Sequence, residues 1–152
     1  MTSKEPQTVD LKTVEPQQLM GLRDQLEGEM QNLSASATAL QSAAGQFGSS
    51  GRAIERLAHQ ESGQPMLMPL TSSLYVPATL DSASNVLIDI GASYYVERSP
   101  ADGTDYCKRK VNMLKDQLDQ IGQVMREKQR IMQQVTAVLQ QKLAAQQRAQ
   151  QS

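Results

Sequence analysis

Aromatic side chains are scarce: four Tyr, one Phe and no Trp in 152 residues. Because aromatics carry the largest apolar area per side chain, their scarcity argues against a thick globular core. A single cysteine, Cys107, has no second thiol in the chain to bridge to, which fits a reducing compartment. With the single histidine, His59, it supplies neither a third group to orient a catalytic pair nor a complete zinc ligand set. Both are expected at helix ends near the strands. Charge of one sign is also missing. Fifteen basic residues face sixteen acidic ones, a net charge of -1 and a pI near 5.8, whereas a nucleic-acid binder shows a basic patch. No stretch approaches the roughly 20 apolar residues needed to span a bilayer, and the opening MTSKEPQTVD lacks the apolar run of a secretory signal. The expectation is a soluble protein of the cytoplasm, with the nucleus open as a second location, and no contact with nucleic acid or membrane. The run GQFGSSGRA lacks the GK[ST] ending of a phosphate loop. Tyr94 and Tyr95 alternate to opposite faces rather than forming one stacking platform for bases. No cofactor, metal or enzymatic activity is expected.

What the chain does have is periodicity. A seven-residue step from Leu19 lands on Leu26, Leu33, Leu40, Phe47 and Ile54 without a miss, with a less regular companion stripe of Leu22, Met30, Ala37, Ala44 and Leu57. A second series runs Val111, Leu118, Met125, Met132 and Leu139, flanked by Leu114, Ile121 and Val135 and by Val124, Ile131 and Val138. Polar residues fill the intervening positions. This is the pattern of two helices that bury one stripe each. Gly45, Gly48 and Gly51 interrupt the first at a cost of about 1 kcal/mol each relative to alanine. The phase from Phe47 to Ile54 survives, so the helix is expected to continue through them.

Between the two series the chain repeats itself. MLMPLTSSLYVP at 66–77 aligns, twenty residues on, with VLIDIGASYYVE at 86–97, sharing Leu67/Leu87, Ser73/Ser93, Tyr75/Tyr95 and Val76/Val96. A unit so short suits a strand-turn-strand element, with Thr71-Ser72 and Gly91-Ala92 near the turns. Two tandem hairpins follow. Alternation places Met66, Met68, Leu70, Leu74 and Val76 on one face of the first, and Val86, Ile88, Ile90, Tyr94 and Val96 on the equivalent face of the second.

The fold class is therefore mainly α with a small β body: an antiparallel two-helix coiled coil whose closed end carries two β-hairpins. One domain over 1–152 is expected, with residues 1–14 unstructured, a helix over 16–60, hairpins over 65–98, a second helix over 104–145 and a disordered tail over 146–152. Counting heptads back from the hairpins places Leu19 near Leu143, Leu26 near Val135, Leu40 near Ile121 and Ile54 near Val111. The helices are largely committed to each other, so the apolar hairpin faces lack a cover from their own chain. Bare edges on small sheets invite other chains, and assembly through the strands is expected.

The order helix, PLTSSLYVP, VLIDIGASYYVE, helix resembles the alpha class of prefoldin subunits over about residues 16–145. The specific parts are Pro69–Pro77 and Val86–Glu97, since any coiled coil supplies heptad leucines; GQFGSSG departs from the family's first helix. The resemblance implies that each alpha subunit carries two hairpins where beta subunits carry one, and that two alpha and four beta chains close a multi-subunit double β-barrel from which six coiled coils project. It further implies an ATP-independent holdase that captures non-native actin and tubulin and passes them to the cytosolic group II chaperonin. The hairpin residues named above would mediate subunit assembly. At the open tip Leu19, Met20, Leu22, Val138, Leu139 and Leu143 would meet clients. The alternative is a coiled-coil scaffold or tether without chaperone activity, which has no use for two apolar hairpins.

Overall fold

The computed structural model describes residues 13–150. In chain order the elements are α1 (Pro16–Leu57), β1 (Pro65–Pro69), β2 (Tyr75–Thr79), β3 (Val86–Gly91), β4 (Tyr94–Arg98) and α2 (Pro100–Gln150). Two long helices frame two antiparallel hairpins, the fold class that heptads and repeat predict. Residues 1–12 of the stretch expected to be unstructured lie outside the described residues, as do 151 and 152 of the expected tail; Val14 is half-buried. Helix α2 continues beyond 145 because Ala144 to Gln150 are good helix formers with no glycine or proline.

The helices pass through two compact units, one built by α1 up to Thr38 and α2 from Leu118, the other by Ala39–Gln117. In the first unit Leu19 and Val135 are fully buried and Leu139 nearly so, with Val14, Leu22, Ile131 and Val138 packed around them. Leu26 is buried as well. Lys128 Nζ donates to Glu29 across the helix pair, and Lys142 Nζ donates to the carbonyl of Val14. Serine and threonine in this polar stretch of helix satisfy their hydroxyls locally: Ser36, Thr38 and Thr136 each donate to the carbonyl four residues back.

The second unit is held by close helix approach. Thr104, Cys107 and Leu114 are buried, and the rings of Phe47 and Tyr106 meet edge to face at 6.3 Å, with Lys110 above Tyr106. Helix α1 runs unbroken through Gly45, Gly48 and Gly51. At Gly51 the reason is spatial: a Cβ there would stand 3.3 Å from Cys107 Cβ. Gly103 is the tighter node, where a Cβ would meet Val86 Cγ2 at 3.1 Å and both Ile54 Cδ1 and Ile88 Cδ1 at 3.3 Å. The second hairpin is thereby seated on both helices.

The helix register differs from the heptad count by about one turn. Leu19 packs on Val135 and Leu139 rather than on Leu143, and Ile54 lies beside Gly103 rather than Val111. The cause is the start of α2. Ser99 Oγ accepts from the Asp102 amide and donates to Asp102 Oδ2, a serine N-cap, while Pro100 occupies the first helical position, which needs no N–H donor. The helix therefore begins at Pro100, directly after β4, and not at 104.

The sequence repeat is a repeat in register. In the first hairpin Met66 faces Ala78, Met68 faces Val76 and Pro69 faces Tyr75; in the second Val86 faces Arg98, Ile88 faces Val96 and Asp89 faces Tyr95. Every pair is displaced by the same twenty positions. The turns differ. In the first, Leu70 N donates to Leu74 O and Thr71 Oγ1 accepts from Leu74 N. The second adds the pair Gly91 with Tyr94, leaves Ile90 in a bulge and turns at Ala92-Ser93, one residue later than expected. Both central residues are left-handed, with φ of 51° and 63°, as a two-residue primed turn requires.

Candidate assembly and client surfaces

The hairpins expose apolar side chains on both faces. Of the residues expected on the assembly face, Leu70, Leu74, Ile90 and Tyr94 are more than half exposed, Met66 and Met68 somewhat less, and Val76, Val86, Ile88 and Val96 are half-buried. Strand β1 is exposed along its whole length. Tyr94 keeps the phase of Val96, whereas the bulge sets Ile90 outside the pairing. A groove of about 410 Å³ lies between this hairpin face and α2, lined by Ile88, Ile90, Val96, Arg98, Asp102, Tyr106 and Arg109.

Alternation alone missed the opposite face. Leu67, Tyr75, Leu87 and Tyr95 stand there at 54 to 73 % exposure, more open than the methionines across the strand. The signal was the sequence MLMPL, apolar at every position, since a continuous run denotes a strand to be covered on both sides. Fully burying one such side chain contributes about 1.5–3 kcal/mol, so this much exposed apolar surface is a substantial reserve for association.

The six residues expected to meet clients divide. Leu19 and Leu139 are interior, Leu22 and Val138 are half-buried in the same cluster, and Met20 and Leu143 are exposed at 37 and 40 %. Leu19 and Leu139 face each other because the register is one turn shorter than expected, and they reach a client only if the helices part. In the same unit Met30, Met125 and Met132 line an open groove of about 480 Å³ with Thr136 and Ser34. The heptad methionines are thus partly accessible rather than sealed.

The shifts at Glu29 and Cys107 have local causes. Lys128 donates a hydrogen bond to Glu29, Gln25 donates another, and the ammonium charge adds to both, so the Glu29 carboxyl is held below its ordinary value. Burial pushes the Cys107 thiol up, away from the reactive thiolate. His59 follows the end of α1 and lines a surface depression with Pro100 and Thr104.

The arrangement matches one family. The profile described as "Prefoldin subunit" covers residues 26–145. The chain belongs to the prefoldin subunit family. It is 40 % identical over 126 residues to "Prefoldin subunit 5" of Arabidopsis thaliana, covering 83 % of each chain. The Homo sapiens "Prefoldin subunit 5" is 34 % identical over 137 residues, 90 % of this chain and 89 % of that one. A "Probable prefoldin subunit 5" of Dictyostelium discoideum aligns over the whole chain and 96 % of its own length at 34 % identity. Among solved structures, a chain of filamentous prefoldin from Methanocaldococcus jannaschii superposes with a TM-score of 0.52 at 16 % identity, over 80 % of this chain and 94 % of that one. That likeness is one of fold. As a prefoldin subunit with two hairpins, the chain is a component of a multi-subunit chaperone complex.

Proposed function

We propose that this subunit works in an ATP-independent holdase of two alpha and four beta chains. Its hairpins join the unlike neighbours, and its helix pair takes part in capturing non-native proteins of the actin and tubulin class for delivery to the cytosolic chaperonin. The observation that carries the proposal is the apolar exposure of both hairpins on both faces, a surface suited to covering by other chains rather than to catalysis. Such a subunit turns over no substrate and needs no cofactor, and its proposed location is the cytoplasm.

Clients meet the exposed Met20 and Leu143 first, and the methionine groove offers adaptable side chains in the same unit. Each contact contributes at most about 1.5–3 kcal/mol, and several arms act together by avidity. Deleting residues 1–22 and 139–152 should leave assembly intact and weaken capture without abolishing it. The assay is suppression of aggregation of denatured client by hexamers carrying complete or truncated subunit. Equal protection by both would remove this tip from the client site.

A further inference from the structure

We propose that the neighbour covering the second hairpin supplies a carboxylate to Arg98, and that this requirement selects an unlike subunit over a second copy of this chain. The inference rests on the assembly reading above. Arg98 faces Val86 across the hairpin and follows Val96 by two positions, so it shares the face of Val86, Ile88 and Val96. It also lines the groove between that face and α2. Among the described residues no carboxylate pairs with it. The acid in the groove wall, Asp102, is engaged, accepting from Ser99 Oγ, and Asp105, outside that wall on α2, pairs with Arg109 at 3.0 Å. Asp89 and Glu97 face Tyr95 and Leu87 on the other side of the sheet, and Glu97 accepts from Asn85.

A neighbour that fills the open groove beside this face therefore covers a cation that its own chain leaves unpaired. A guanidinium taken from water without a counter-charge is strongly unfavourable, and a carboxylate fits its two-pronged donor geometry. A second copy of this chain offers a poor match: Asp89 and Glu97 of its second hairpin stand on the face opposite Val86 and Ile88, and Glu97 already accepts from Asn85. Its first hairpin, residues 65–79, carries no charged side chain, and the position equivalent to Arg98 there is Ala78. Docking that hairpin on the second would satisfy the apolar side chains and strand the arginine. The partner is thus a β-strand with an Asp or Glu beside apolar residues.

The test uses reconstitution of the complete hexamer from unlike prefoldin subunits in competition with wild-type chain, read by native mass. R98E should incorporate on the order of 100-fold less well, R98M on the order of 10-fold less well, and R98K close to wild type, following the cost of breaking a buried charge pair. Zero-length carbodiimide coupling of assembled R98K should join position 98 to an Asp or Glu of an unlike subunit, identified by peptide mass. Equal incorporation of all three variants, or coupling only to this chain's own Asp102 or Asp105, overturns the proposal. If wild type itself fails to enter the hexamer, the assembly reading falls and this inference with it; entry of wild type and R98E alike overturns the carboxylate alone.

Discussion

The two hairpins share a sequence pattern and a register but not a support. Val86 and Ile88 of the second pack at the bare Cα of Gly103, where α1 contributes Ile54. The first exposes all five residues of β1. Duplication thus supplied two equivalent strand pairs, and the surroundings gave them different tasks. One is a seat fixed to the helices; the other is an arm whose stability must come from other chains, because a lone two-stranded hairpin is marginal in water. The charge difference follows the same division, with none in residues 65–79 and Arg98, Asp89 and Glu97 in the second.

The largest effect should come from charging each face in turn. I88D/I90D buries carboxylates on assembly at a cost of at least several kcal/mol and should abolish hexamer formation by gel filtration. M66D/M68D should do the same, yet lower the melting temperature of the lone chain less than I88D/I90D does, since both methionines are about two-fifths exposed there whereas Ile88 packs at Gly103. Next in size, G103V forces a branched side chain against Val86, Ile54 and Ile88. Overpacking of this kind costs about 1–3 kcal/mol. Amide exchange over 86–98 should then rise to the level of 65–79, erasing the difference between the hairpins.

A smaller effect separates the helical unit from the hairpins. Glu29 has a lowered pKa, so its contribution is present above the ordinary glutamate value of 4.5 and disappears as pH falls through the lower folded value. The helical signal of the 13–38/118–150 unit should weaken below pH 4.5, and E29Q should flatten that dependence while leaving hairpin exchange unchanged. The smallest effect is local to the second turn. Ala92 holds a φ of 51°, a region where asparagine is better tolerated. A92N should stabilise the second hairpin by a few tenths of a kcal/mol, read as slower exchange at Tyr94–Arg98, with no change in the first.

Much of the fold was legible because its signals are local. The heptad stripe put Leu19 and Leu26 inside, and the repeat placed both hairpins. The helix register was not legible from heptads, which specify a stripe but not where the partner helix starts; Ser99-Pro100-Ala101-Asp102 holds that information in its cap. The bulge at Ile90 and the turn at Ala92-Ser93 depend on backbone conformation that alternation does not encode. Arg98 escaped notice because a charge at a strand end reads as solvated surface. Its meaning emerges only with Val86 opposite and Asp102 and Asp105 already engaged.

The most direct test of the seated and free hairpins is hydrogen exchange of the lone chain and of the assembled hexamer, resolved over residues 65–79 and 86–98. In the lone chain the second hairpin should exchange at least several-fold more slowly than the first, and in the hexamer both should be protected. Equal exchange of the two hairpins in the lone chain, or an unprotected first hairpin in the hexamer, would contradict the account.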